Sequence, residues 1–453
     1  MKGRTTLILA AAFLALLAVV LFFDRKKAGD VSGPEDRLAE IAAENVERIV
    51  FKNTSGTVTL ARTGPNDWTI TEPLETPADP VEVSSFLSAF SDLRIERVVE
   101  KENADLQKYE IPTREISLKM KGADRPVKIL IGAENGVGGT FFARKEGDPR
   151  VVLLPSALKP SLEKKLFDFR RKDVFRFETG DVAGIKVESG KVRWEARKAG
   201  AEWFLETPLK ALARDTEISA LLDSLAGLRA AEFSVEAKKS GRPEKAGLDR
   251  PETTVTFSFP SPRKDLVFAF QEIGGKTYAT NSESPLIVVP ESDPTANLKR
   301  KADAFRETRI AVFNSWEAVG LQVKNNGLNL DLAKSAEGKW SFVSEPKGEA
   351  DAGKVEAFLR KVESLEAAGF IDQPKPAAEH GLTVPRAEIT IHTREQGENP
   401  AEKTITLLFG GPDKDQKMIV RNTRFDYLFK IEGAFLDDLP KSPADWKAAS
   451  SGK

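Results

Sequence analysis

Cysteine is absent from the 453-residue chain, which excludes disulfide staples, thiol catalysis and cysteine-ligated metal or iron–sulfur centres. Histidine occurs only at His380 and His392, too few for a zinc or iron site without carboxylate help. A basic excess is also missing. The 68 Lys and Arg residues face 69 Asp and Glu, interspersed along the chain, so nucleic acid is not an expected partner. No G-x-S-x-G elbow, H-E-x-x-H pair or EF-hand loop is present. Long apolar runs are scarce, and the one that stands out is Leu7 to Phe23.

What the chain does have is a stretch written three times. Trp68, Trp203 and Trp340 lie 135 and 137 residues apart. Each is followed by a proline (Pro73, Pro208, Pro346) and then an apolar run beginning 15 residues after the tryptophan. The runs are Val83, Phe86, Leu87, Phe90, Leu93; Ile218, Leu221, Leu222, Leu225, Leu228; and Val355, Phe358, Leu359, Val362, Leu365. Steps of 3, 1, 3 and 3 place all five on one face of an α-helix. Alternating apolar residues flank each helix, as in Ile116, Leu118, Met120 and Val127, Ile129, Ile131, and read as antiparallel strands wet on one side. The fold class predicted is α+β, with three tandem repeats each made of a mostly antiparallel sheet and one principal packed helix.

The predicted organisation is an anchor over 1–23, a tether over 24–45, repeats over 46–173, 174–309 and 310–439, and a polar, fraying tail over 440–453. The run over 7–23 follows Lys2 and Arg4 and ends in bulky Leu21, Phe22 and Phe23. It therefore reads as an uncleaved single-pass transmembrane helix, a cleaved signal peptide being the competing reading. The lipid bilayer is an expected partner through these residues, with the body on the periplasmic side of the inner membrane.

Candidate chemistry is thin. Gly132 to Gly139 is glycine-rich but lacks the Gly-Lys-Ser/Thr ending of a phosphate loop and leads into a strand, so a hairpin turn is expected. His380 and His392 read as turn and strand-end residues. Asp437 and Asp438 could hold a divalent ion only if carboxylates converged from other elements. Trp68, Trp203 and Trp340 read as packing anchors, and exposure of Trp194, Trp203 or Trp316 would favour a binding stripe. No catalytic, cofactor-binding or metal-binding residue is assigned, and no cofactor is expected.

The repeated tryptophan, proline, Asp-led helix and Gly-Leu-x-x-Pro turn resemble the bacterial domain of unknown function 4340 family. The matching residues are Trp68, Pro73, Asp79 and Leu93; Trp203, Pro208, Asp215, Leu228, Gly247, Leu248 and Pro251; and Trp340, Pro346, Asp351, Leu365, Gly381, Leu382 and Pro385. The first repeat departs, with Lys108-Tyr109 in place of Gly-Leu before Pro112. The resemblance implies no catalytic residues and an accessory role beside an ABC-type permease or gliding-associated system. The expected function is thus a non-enzymatic, membrane-anchored extracytoplasmic scaffold or transporter auxiliary subunit. An envelope glycan or peptidoglycan binding module is the alternative, and a carboxylate-based hydrolase the remote one.

Overall fold

The computed structural model describes residues 37–173, 175–234, 247–345, 347–395 and 401–448. The chain divides into two compact units, one ending at Asp173 and holding the first repeat, the other holding the second and third. Each repeat is a nine-stranded sheet, and the strand order is the same in all three. In the first repeat it runs Thr76–Pro77, Trp68–Glu72, Gly56–Arg62, Val46–Asn53, Arg114–Met120, Val127–Glu134, Phe141–Lys145, Val151–Leu154 and Arg97–Glu100. Two meanders therefore meet at the centre, where the first strand of a repeat's sheet pairs with the second sheet strand after its helix, the one just after the helix lying at the far edge. The central register repeats too: Ile49 faces Leu118, Ile185 faces Phe257, and Leu321 faces Ile391. These residues are almost wholly buried, as period-two alternation under a helix requires.

The principal helices are α1 (Pro80–Ser91), α2 (Asp215–Ala226) and α3 (Ala352–Glu363). Each buries the first four residues of its apolar run against the sheet. The fifth falls outside the helix. Leu93 belongs to a short strand, Asp92–Arg94, paired with Arg37–Glu40, and stays buried there. Asp79 caps α1 by accepting from Val81 and Glu82, with Pro80 in the first turn, and Asp351 caps α3 by accepting from Lys354. In the second repeat the cap position is Arg214, and Asp215 sits one residue inside the helix. There its charge faces the positive helix end instead of accepting a cap hydrogen bond.

Each repeat closes one edge of its sheet with its own last segment. Asp79 N–H donates to the Phe169 carbonyl and Arg171 N–H to that of Pro77. Arg214 and Phe305, then Glu307 and Leu212, repeat the pattern, as do Asp351 and Trp446, then Ala448 and Glu349. Phe169, Phe305 and Trp446 are buried beneath these bridges. The residues from 440 to 448 are therefore packed, because Trp446 supplies the anchor that a frayed tail would lack. The edge this segment covers would otherwise offer unpaired backbone groups to another chain.

The pre-proline turns match less closely than the sequence suggests. Gly247 and Gly381 take positive φ of 64° and 69°, but in the first repeat the left-handed residue is Glu110 (φ 52°), two positions beyond Lys108. The shorter turn there brings Pro112 closer to the cap.

One expectation is corrected. The α+β class and the threefold repetition stand, but among the described residues no helix is long and apolar enough to cross a membrane. The anchor expected over 7–23 lies outside the described residues. With it go the bilayer contact, the single-pass inner-membrane placement and the periplasmic body. The membrane-anchored reading of function goes as well, including the ABC-type permease partner expected through that helix.

Candidate functional site

The three repeated tryptophans are internal. Trp68, Trp203 and Trp340 are each under 5% exposed. Directly across the strand pair from Trp68 and Trp340 stand Arg62 and Lys334, whose cations lie 4.5 and 5.8 Å from the ring centroids. Of the three tryptophans whose exposure would favour a binding stripe, Trp194 and Trp203 are buried and Trp316 is 59% exposed. No aromatic row results.

Beside Trp68 lies an open groove of about 680 Å³. Its floor is Trp68 and Leu87. One wall is the outer face of α1, with Val81, Ser84, Ser85 and Ser88, and the other is Ala43, Glu44, Pro65 and Asn66. Arg62 pins the second wall. Its Nε donates to the Val46 carbonyl (2.7 Å), Nη1 to Pro65 (2.6 Å) and Nη2 to Ala43 (2.8 Å). In the third repeat the equivalent Lys334 instead reaches the helix, 3.6 Å from Glu356, and Trp316 takes the place of Glu44. That bar across the helix is absent in the first repeat, where Ser84 replaces Glu356 and Arg62 is held away by carbonyls.

A second cluster joins repeats two and three. Arg306, 2% exposed, lies 3.6 Å from the Phe370 ring centroid and 4.4 Å from that of Tyr427, with Nη1 2.7 Å from Asp372. Next to it the buried Glu307 accepts from the Arg309 backbone N–H (3.0 Å), Nε (3.2 Å) and Nη2 (2.8 Å). Burial pushes the Glu307 carboxyl up, but the Arg309 hydrogen bonds and charge outweigh it and hold it below its ordinary value. Leu212 N–H donates to the Tyr427 hydroxyl (3.4 Å), and Asn422 donates to the Ile310 carbonyl (2.9 Å). Arg424 and Glu202 close the rim with a forked ion pair.

Burial pushes the Tyr427 phenol up to about 12, against the smaller downward pull of the Leu212 N–H and the Arg306 and Arg424 charges. Since the folded value is the higher one, this contribution to stability is complete below pH 10, the ordinary value, and is lost as pH rises through about 12. Tyr427→Phe is expected to lack the late step in an ultraviolet phenolate titration of the folded protein. It should also flatten the alkaline fall of stability measured by denaturation at stepped pH.

The residues singled out in the sequence do not converge. Gly132 to Gly139 ends one strand and turns into the next, with Asn135 N–H donating to the Thr140 carbonyl. Its glycines divide by role. A Cβ on Gly132 would lie 2.1 Å from the Tyr109 carbonyl oxygen, and one on Gly410 2.1 Å from that of His380, while Gly136 faces open space. Gly132→Ala and Gly410→Ala are expected to cost about 1–3 kcal/mol as overpacked sites, and Gly136→Ala to stay within about 0.5 kcal/mol, by urea denaturation. His380 ends a 3-10 turn, and His392 meets the Thr404 hydroxyl on the neighbouring strand (3.1 Å). Asp438 pairs with Lys361. Among the described residues no three His, Asp or Glu side chains group as a metal site.

Neither cluster was found from the sequence. The groove arises where the repeats differ, so the repeated pattern cannot show it. The junction had one faint signal: Tyr427 is one of only three tyrosines.

Same-order sheets, each carrying one helix and joined in series, define a tandem-repeat α+β protein. The model of the family described as Domain of unknown function (DUF4340) matches residues 68–251 and again 203–385, and the chain belongs to that family. Each match begins at a repeated tryptophan and ends at the pre-strand proline of the next repeat, so it straddles two sheets. No curated protein matches the chain. Among solved structures, the DNA polymerase III subunit beta from Pseudomonas aeruginosa is 8% identical. That match covers 86% of this chain and 93% of the other, at a TM-score of 0.14. The DNA polymerase sliding clamp from Pseudomonas aeruginosa is also 8% identical, covering 87% and 93% at a TM-score of 0.15. Scores this low carry no argument.

Proposed function

We propose that the protein is non-catalytic and works as a frame for macromolecular contacts. The observation that carries this reading is where the repeated positions go: the tryptophans and the helix faces pack internally, with the half-buried Arg62 and Lys334 laid against Trp68 and Trp340. Acid–base catalysis needs a positioned proton donor or acceptor within reach of a reacting group. In the groove the ionisable side chains are Glu44 and Arg62, and the donors of Arg62 are held by three carbonyls. The first repeat contains no histidine to act as base for Ser84, Ser85 or Ser88. The junction cluster ties the two repeats together through the Arg306–Asp372 and Arg424–Glu202 ion pairs.

The test is turnover. Purified full-length chain and its Glu44→Gln variant should both leave ester, phosphoester, glycoside and peptide substrates at the buffer rate. Turnover by the parent protein that Glu44→Gln removes would overturn the reading.

A further inference from the structure

The edges through which repeats two and three meet are not matched by the corresponding edges of the first and third repeats. In the second repeat the edge strand Ala211–Leu212 is buried, and Leu212 N–H meets Tyr427 of the third. The closing segment beside it sends Phe305 into its own core and Arg306 between Phe370 and Tyr427, with Asp372 as counter-ion. This is a head-to-tail contact, and a contact of that kind propagates between copies unless its free ends are altered.

The corresponding edges, leading in the first repeat and trailing in the third, are altered. On the trailing edge of the third repeat, strand register puts Gly348 and Glu349 where the second has Ala211 and Leu212, and both are exposed. The closing segment keeps its buried aromatic, Trp446, but its next residue is the exposed Lys447 where the second repeat has the buried Arg306. On the leading edge of the first repeat, Val98 pairs with Val152 as Phe370 pairs with Phe429, and Val98 is 37% exposed. Arg150, just before that edge's partner strand, replaces Tyr427 and pairs with Asp148 (2.8 Å). Glu100 lies two residues past Val98, as Asp372 lies two past Phe370. It already accepts from the Tyr109 hydroxyl and from Lys108 (3.2 Å), within its own repeat. The aromatic sandwich and its counter-ion are thus gone from one end, and the apolar strand and stacking guanidinium from the other.

We propose that these exchanges make the leading edge of the first repeat and the trailing edge of the third non-adhesive ends, so that copies of the chain do not join as repeats two and three do. Packing Glu349 against a neighbour would desolvate a carboxylate whose ion pair with Lys339, at 3.9 Å, is loose and exposed, a cost the contact cannot offset. The same residues that preserve each repeat's own core are kept; only the outward ones change. This inference holds whether or not the protein is catalytic.

The test restores the missing chemistry in two full-length variants: Val98→Phe with Arg150→Tyr on the leading edge, and Glu349→Leu with Lys447→Arg on the trailing edge. By sedimentation velocity, the parent and each variant alone should show no association through these edges. An equimolar mixture should form a 1:1 complex at least ten-fold tighter than either variant forms with the parent. All four positions in one chain should give longer head-to-tail chains. A mixture of variants that keep the parental melting curve yet sediment as separate chains would overturn the proposal. So would a parent protein whose self-association is broken by Glu349→Lys.

Discussion

Replacing Trp340 by alanine should destabilise the unit spanning 174–453 by about 3–5 kcal/mol, the range for deleting a buried aromatic. Trp340 is fully buried, and its indole nitrogen has no hydrogen-bond partner, so what is lost is packing and the contact with Lys334. The loss should reach both repeats. One continuous core runs from Phe175 in the second repeat through Trp340 to Trp446, without a break at the junction. Urea denaturation followed by tryptophan fluorescence and by far-ultraviolet circular dichroism should give coincident transitions for this unit, moved together to lower urea. A variant whose third repeat melts alone, leaving the second at its original midpoint, would show that the shared core does not couple them.

Arg306→Ala should be the next largest, at about 2–4 kcal/mol, since a desolvated cation over an aromatic face is worth up to about 2 kcal/mol and here there are two faces. Asp372 keeps 47% of its side chain exposed, so its orphaned charge is solvated and adds little. The expected signature is different from that of Trp340→Ala. Removing the residue that sits between Phe370 and Tyr427 weakens the junction more than either core, so the single transition should broaden or split. Arg306→Lys restores charge but not the flat guanidinium, and should recover less than half of the loss. Full recovery with lysine would mean that the ion pair with Asp372, and not stacking, holds the junction.

The architecture was legible because it rests on periodicity, and periodicity survives in a single sequence. Val83, Phe86, Leu87 and Phe90 declare a helix face whichever sheet lies beneath, and two further copies remove the chance explanation. The same signal overran the helix end. Leu93 keeps the spacing and the burial but sits in a strand, since burial alone does not say which backbone delivers it. Cap chemistry misled in the second repeat, where Asp215 reads as a cap but the backbone turns at Arg214. Tryptophans were correctly placed inside, from their position in apolar strands.

The candidate sites were not legible, for a related reason. Arg62 looks like any strand arginine until the carbonyls of Ala43, Val46 and Pro65 are seen to converge on it. Those three residues come from a turn, a strand end and a hairpin, with no spacing rule linking them. Arg306 and Glu307 sit in a charged stretch that reads as solvated surface. Only the neighbouring repeat, bringing Phe370 and Tyr427, buries them.

Native-state hydrogen exchange on the full chain tests the central claim most directly, because that claim places three equivalent sheets around three equivalent central strand pairs. The slowest amides should fall in Val46–Asn53 with Arg114–Met120, in Gly184–Ser189 with Thr253–Ser258, and in Ala318–Asn325 with Ala387–Arg394. Protection confined to one repeat, or central pairs exchanging as fast as the 135–140 turn, would contradict it.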